Sequence, residues 1–238
     1  MRLVRHLSDL PFDSLADGSV VTIGAFDGIH LGHRQLLRRV VDVATQSNRP
    51  AVAMSFEPTP KEFFAGDQPP ARLMRFREKL DALAERKIDI FFCPRFSNEM
   101  RNIAADAFIR RVLVHGLNAR HIVVGDDFHF ARRREGSVED LLRVAPALDL
   151  TVEQVPSILV GNTRVSSTSI REALAAGNLE RATSLLGRPY RMSGRVVRGR
   201  QLGRALGYAT ANVDLRRRQS AVMGIYAVRV HGLPDGPI

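Results

Sequence analysis

Four short runs rich in β-branched and aromatic residues, at 20–23, 51–56, 88–93 and 121–124, alternate with stretches of helical period. Leu36, Leu37, Val40, Val41 and Ala44 fall on one helical face. Leu73, Phe76, Leu80 and Leu83 fall on a second, and Phe108, Ile109, Val112 and Leu113 on a third. Strands separated by helices of this length predict an α/β domain with a parallel sheet covered on both faces. Residues 150–155 are a less regular fifth strand candidate. Beyond Ser167 two helices follow closely: Ser169 with Glu172 is the candidate capping box of the first, and Gly177-Asn178 ends it and starts the next. After Gly187-Arg188-Pro189 the texture changes to glycine-punctuated runs at 195–197 and 225–230, read as strands of an all-β unit. The expected division is 1–186 and 187–238. About fifty residues make a small β-barrel, so the second unit is expected to be incomplete.

Composition excludes more than it selects. Hydrophobic residues at 45% and charged residues at 25% are an ordinary globular balance. No apolar stretch reaches membrane-spanning length, and the start Met1-Arg2-Leu3-Val4-Arg5-His6 lacks the apolar block of a secretion signal, so a soluble cytoplasmic protein is expected. Cys93, the single cysteine, lies in an apolar run and reads as a buried structural thiol. The formal charge of +10 is carried almost wholly by arginine; Lys61, Lys79 and Lys87 are the only lysines. Forked guanidinium groups suit phosphate, but charge alone does not choose between nucleic acid, acidic lipid and phosphorylated small molecules.

The sharpest local signal runs from Thr22 to His33. It leaves a strand, passes Gly24-Ala25-Phe26-Asp27-Gly28 and enters an amphipathic helix. At the carboxyl end of a parallel sheet this is where nucleotides bind, and a helix N-terminus offers free N–H groups to phosphate. Gly32 would let phosphates approach the backbone, and His30 and His33 would both donate to one triphosphate. A surface pair or a metal site is the rival reading, and for metal no third ligand stands out nearby. A second helix start, Arg164-Val165-Ser166-Ser167-Thr168-Ser169-Ile170-Arg171, offers hydroxyls that serve either as caps or as a second phosphate clamp, with Arg171 positioned to neutralise a departing pyrophosphate. Phe56-Glu57-Pro58-Thr59-Pro60 and Gly125-Asp126-Asp127-Phe128-His129-Phe130 stand at strand ends; their rings suit a flat heterocycle or core packing equally well.

In this order the segments resemble the bacterial bifunctional riboflavin kinase/FMN adenylyltransferase family, the prokaryotic FAD synthetases, over nearly the whole chain. The resemblance implies a Rossmann-like nucleotidyltransferase domain in 1–186. There the FMN phosphate attacks the α-phosphorus of ATP with magnesium assistance, releasing pyrophosphate and forming FAD. It implies catalytic roles for His30, His33 and Arg171, and ATP binding by Gly24, Phe26, Asp27, Gly32, Arg164, Ser166, Ser167 and Thr168. FMN would be bound by Phe56, Pro58, Asp127 and Phe128. Residues 187–238 resemble the start of the riboflavin kinase β-barrel. Gly199 and Gly203 would lie in its phosphate loop, and Thr210 and Asn212 would hold magnesium and nucleotide phosphates. The rest of that barrel, with its catalytic glutamate, is absent from the sequence, so adenylyl transfer without riboflavin phosphorylation is the expectation. Ala209 stands where the family usually has proline, Ala131 where it has glycine, and Thr59 where histidine is frequent. ATP, FMN and riboflavin are the implied partners, with neither nucleic acid nor membrane; no motif speaks to oligomeric state. A nucleotidyltransferase with another acceptor, a tRNA synthetase fragment and an inactive flavin- or nucleic-acid-binding regulator are the rivals. The flavin-side segments and the lack of any lysine after Lys87 weigh against the first two.

Overall fold

The β-branched runs do form strands, and the helices between them force those strands parallel. In the computed structural model, which describes residues 1–200, 206–208 and 210–232, six strands make one parallel sheet. They are β1 (Arg2–Val4), β2 (Ser19–Ile23), β3 (Ala51–Met54), β4 (Ile90–Phe92), β5 (Ala119–Gly125) and β6 (Thr151–Val155), in the order β1-β4-β3-β2-β5-β6. From β2 onward this is the doubly wound arrangement, with the direction of winding reversing between β2 and β5. The crossovers carry α1 (Leu31–Gln46), α2 (Pro60–Ala65), α3 (Phe76–Ala84), α4 (Asn98–Arg101), α5 (Ala105–Ala107, continuing as π-helix through Phe108–Gly116) and α6 (Val138–Val144).

Alternation along each strand divides the core between the two faces. Val20, Ala51, Ala53, Phe91 and Val123 pack with Leu36, Leu37 and Val40 of α1 and Leu83 of α3. Val21, Val52, Met54, Ile90, Phe92 and Ile122 pack against Ile109, Val112 and Leu113 on one side chain layer with Leu141 of α6. Each fully buried Val, Leu or Phe contributes about 1.5–3 kcal/mol relative to exposure, so the covered sheet is the main source of stability. A third apolar cluster forms where α7 (Ser167–Ala175) and α8 (Leu179–Leu186) fold together with Leu73, Val165 and Ala221. Cys93 is free and fully buried, as expected, and burial pushes its thiol up to about 11.

Several expectations are corrected. The α7 cap is Ser166, whose Oγ accepts from Ser169 N–H at 3.0 Å while Ser169 Oγ accepts from Ser166 N–H at 3.1 Å; the box lies three residues ahead of the Ser169/Glu172 pair because Ser166 is the residue with extended backbone. Leu73 precedes α3 and packs against α7 and α8, not on the α3 face. Residues 225–230 do not form a strand: Ile225 and Val228 are exposed, and no neighbouring described strand supplies a hydrogen-bonding edge. The described β-structure of the second unit is one antiparallel pair, β9 (Arg195–Val197) with β10 (Asn212–Asp214). Edge strand β1 and the small hairpin of β7 (Leu159–Val160) and β8 (Thr163–Arg164) carry too little apolar pattern to be read from sequence.

Candidate active site

The loop after β2 reaches α1 through backbone that side chains seldom adopt. Phe26 and Ile29 have positive φ (49° and 43°) and are fully buried, a local cost that the surrounding packing offsets. Gly28, at φ 92°, is required on two counts: a Cβ there would also come within 2.9 Å of Leu73 Cδ1. Phe26 lies against His33, ring centroids 5.3 Å apart, so it supports the loop from beneath. His30 is the N-cap of α1. Its Nδ1 accepts from His33 N–H at 3.3 Å, which leaves Nε2 to carry the ring proton. The two rings stack at 3.7 Å with an 18° interplanar angle. Burial lowers the His30 pKa to about 4, opposed by Asp127 and assisted by Arg164 and Arg171. Burial, then His30 and Lys79, hold His33 well below the usual histidine range. Both imidazoles are therefore neutral at pH 7.

The second helix start meets this loop. Ser167 Oγ donates to the Asp27 carbonyl at 2.8 Å, while Thr168 stands exposed at the head of α7. The Asp27 side chain is turned inward: it accepts from Leu73 N–H and Met74 N–H at 3.0 Å each and pairs with Arg171. Arg171 Nε donates to the Ala71 carbonyl at 2.6 Å. Asp27 and Arg171 thus join three segments, the β2 loop, residues 71–74 and α7, in one buried ion pair. Gly24 lies beside the Phe26 ring, and a Cβ at Gly32 would make ordinary contact with the His30 ring at 3.4 Å.

Phe56 and Phe128 leave the neighbouring strand ends and both rest half-buried on the core. Phe56 packs edge-on against Phe96 at 5.3 Å, and Phe128 stacks on Phe130 at 5.5 Å. Pro58 follows Glu57 through a cis peptide bond. Asp127 is exposed and pairs with Arg164 at 2.8 Å; Asp126 accepts from Ser157 N–H at 2.9 Å and so anchors the same turn. In the second unit Gly199 sits directly against the Asn212 side chain, and both are exposed, as is Thr210. Gly203 lies outside the described residues.

Residues that the motifs did not reveal complete the surroundings. Lys79 is buried on α3 and donates from Nζ to the Ala25 carbonyl at 2.7 Å, beneath the histidine loop. Its signal was present: a rare lysine spaced three from Phe76 and four from Leu83, on an apolar face. Arg72 pairs with both Glu57 and Glu62, tying the segment after β3 to residues 71–74. From the second unit, Arg188 donates to the Gly28 carbonyl at 3.0 Å and Arg217 to the carbonyls of Arg72 and Leu73 at 2.9 and 3.2 Å. Among the described residues no group of three His, Cys, Asp or Glu side chains is arranged to hold a metal ion.

The FAD synthetase family model matches residues 13–169, strands β2 to β6 and both helix starts, and the riboflavin kinase model matches 186–236. The bifunctional riboflavin kinase/FMN adenylyltransferase of Escherichia coli K12 is 44% identical over all 238 residues, which span 76% of that protein. This chain belongs to the bifunctional riboflavin kinase/FMN adenylyltransferase family. The Haemophilus influenzae relative of the same name is 40% identical over the full chain and 76% of its own length, and that of Pseudomonas fluorescens 42% over 97% of this chain and 73% of its own. A crystal structure from Streptococcus pneumoniae named a macrolide-efflux protein superposes with a TM-score of 0.82 at 29% identity, covering 99% of this chain and 81% of that one. That name disagrees with the family models and the curated relatives, which agree with one another over the same residues. Among the described residues, no helix of this family member is long and apolar enough to cross a membrane.

Proposed function

We propose that this chain transfers AMP from ATP to FMN. An FMN phosphate oxygen bonds to the α-phosphorus, the bond from that phosphorus to the bridging oxygen breaks, and pyrophosphate leaves as FAD forms. The observation that carries the reading is the meeting of two capped helix starts at the β2/β5 switch point, with a neutral His30 whose Nε2 carries the proton. A neutral imidazole donates a hydrogen bond to phosphate without releasing its proton, which suits a reaction needing orientation and charge stabilisation. Gly32 supports the reading, because nothing in the protein itself demands glycine there. His30, His33 and the first amides of α1 would receive the triphosphate; Ser166, Ser167, Thr168 and Arg164 would face it from α7. Phe56, Pro58 and Phe128 would border the flavin ring, and Asp127 would contact substrate. Arg171, bound to Asp27 and Ala71, would stabilise the leaving group only with its remaining donors.

Magnesium would arrive on the nucleotide and, when bound, would supply charge neutralisation of the phosphates. The residues present fit an ion held mainly by phosphates and water, with exposed Asp127 as the carboxylate within reach of the site. We assign the transferase to 1–186 and a riboflavin kinase-like unit to 187–238, with Gly199, Gly203, Thr210 and Asn212 as its phosphate and magnesium element. The described part of that unit holds a single antiparallel strand pair, and on this reading FMN formation from riboflavin is not expected. ATP and FMN as substrates imply a cytoplasmic enzyme, with its positive charge serving phosphates in place of nucleic acid. Purified chain with FMN, ATP and magnesium should yield FAD and pyrophosphate, and a His30→Ala/His33→Ala variant should not. Absence of FAD from folded wild-type chain overturns the assignment; a parallel incubation with riboflavin tests the kinase expectation.

A further inference from the structure

Two successive peptide groups lie between a buried cation of the second unit and a buried carboxylate of the first. Arg217 Nη1 donates to the carbonyls of Arg72 and Leu73 at 2.9 and 3.2 Å. The N–H groups of those same two peptide units, Leu73 and Met74, donate to Asp27 Oδ1 at 3.0 Å each. Each peptide dipole therefore has a positive charge at its oxygen and a negative charge at its nitrogen, the arrangement in which both hydrogen bonds are charge-assisted and mutually strengthening. Arg217 is held for this purpose: its side chain is 2% exposed, and it also donates to Tyr190 Oη at 2.8 Å and pairs with Glu78 Oε2 at 2.7 Å. Asp27 is one residue from Phe26 and three from His30, so whatever fixes residues 72–74 fixes the loop that presents His30.

We propose that Arg217 is a positioning residue for the nucleotide site: through the 72–73 and 73–74 peptide groups it holds Asp27, and with it the histidine loop, in register. Adenylyl transfer in 1–186 thereby depends on a side chain from the segment matched to riboflavin kinase. The proposal rests on the adenylyltransferase reading for its kinetic test but not for its structural one. Ser193 provides the control. Its N–H and Oγ bond Glu78 Oε1 at 2.8 and 2.7 Å, docking the same segment without touching the 72 and 73 carbonyls.

The test compares wild type, Arg217→Met, Arg217→Lys and Ser193→Ala in the full chain, by steady-state FAD formation and by amide hydrogen exchange of the folded proteins. Arg217→Met should raise the KM for ATP about tenfold or more with the KM for FMN within about twofold, since a 1.4 kcal/mol loss is a factor of ten. Amides 73 and 74 should lose protection by at least the same factor. Arg217→Lys should recover part of both, and Ser193→Ala should stay within about twofold of wild type. A folded Arg217→Met protein with wild-type KM for ATP and protected amides overturns the proposal, as does an equal effect from Ser193→Ala. If Arg217→Met does not fold, Arg217→Lys decides by the same two readings. If wild type forms no FAD, the adenylyltransferase reading fails and the exchange comparison alone judges the latch.

Discussion

Asp27→Asn is the substitution that asks most of the proposed site. The carboxylate is 10% exposed and its partner Arg171 is 19% exposed. It accepts from Leu73 and Met74 N–H at 3.0 Å and pairs with the Arg171 guanidinium. Asparagine keeps one acceptor oxygen but sets an NH₂ group against donors. At least one hydrogen bond to a charged group is lost, about 1.5–3 kcal/mol, and Arg171 keeps a buried charge without its counterion. Breaking a buried pair on one side costs about 3–5 kcal/mol. At roughly 2–4 °C per kcal/mol for a chain of this size, the melting temperature should fall by roughly 10 °C. Because the pair joins the β2 loop to α7, kcat/KM for ATP should fall by about 100-fold, the scale of a 1 Å misplacement. Thermal unfolding by circular dichroism and FAD formation measure the two effects. Asp27→Leu/Arg171→Met separates them: it removes the stranded Arg171 charge but leaves the Leu73 and Met74 N–H groups without their acceptor, so it should restore only part of the stability and none of the activity. An Asp27→Asn protein melting within about 2 °C of wild type, with unchanged KM for ATP, would refute the reasoning.

Three further outcomes are expected. His30 has a folded pKa near 4 against 6.5 when unfolded, so the unfolded chain binds more protons between those values; stability should fall by about 3 kcal/mol as pH drops from 6.5 to 4, with His33 adding in the same direction. Urea unfolding at pH 7, 6 and 5 checks this, and a pH-independent unfolding free energy in wild type contradicts it. Gly28→Ala should cost about 2 kcal/mol from its positive φ and the contact with Leu73, measurable by denaturant midpoint; a neutral effect would mean that the loop relaxes freely. Arg72→Met leaves Glu57 and Glu62 without their shared cation and should destabilise by about 3 kcal/mol at pH 7. Glu62 is held below its ordinary pKa, its burial outweighed by bonds from Arg72 and Thr59. The loss should therefore shrink as pH falls through the carboxylate range, and an equal loss at pH 7 and pH 4.5 speaks against the ion pair as its cause.

Much of this protein is legible in its sequence because the signals are local. Val20 to Ile23 alternates between two apolar layers, and a strand that sends side chains to both faces must be covered on both. Gly28 needs positive φ, and His30 stands where a helix begins, so the turn and the α1 start follow from neighbours in the chain. The chain order of the motifs likewise sufficed to indicate the family. Tertiary structure alone decided what those side chains touch. Asp27 reads as a ligand contact but is turned toward amides 46 and 47 residues away, and Arg171 reads as a free clamp but is paired with Asp27 across 144 residues. Arg217 carries no motif at all, yet its buried side chain bonds the Leu73 carbonyl 144 residues before it. The physical reason is range. Helix caps, turns and alternation are set by bonds among residues a few positions apart, which spacing records. A buried charge is satisfied by whichever partner the folded sheet brings within 3 Å, and no periodicity in the chain encodes that meeting.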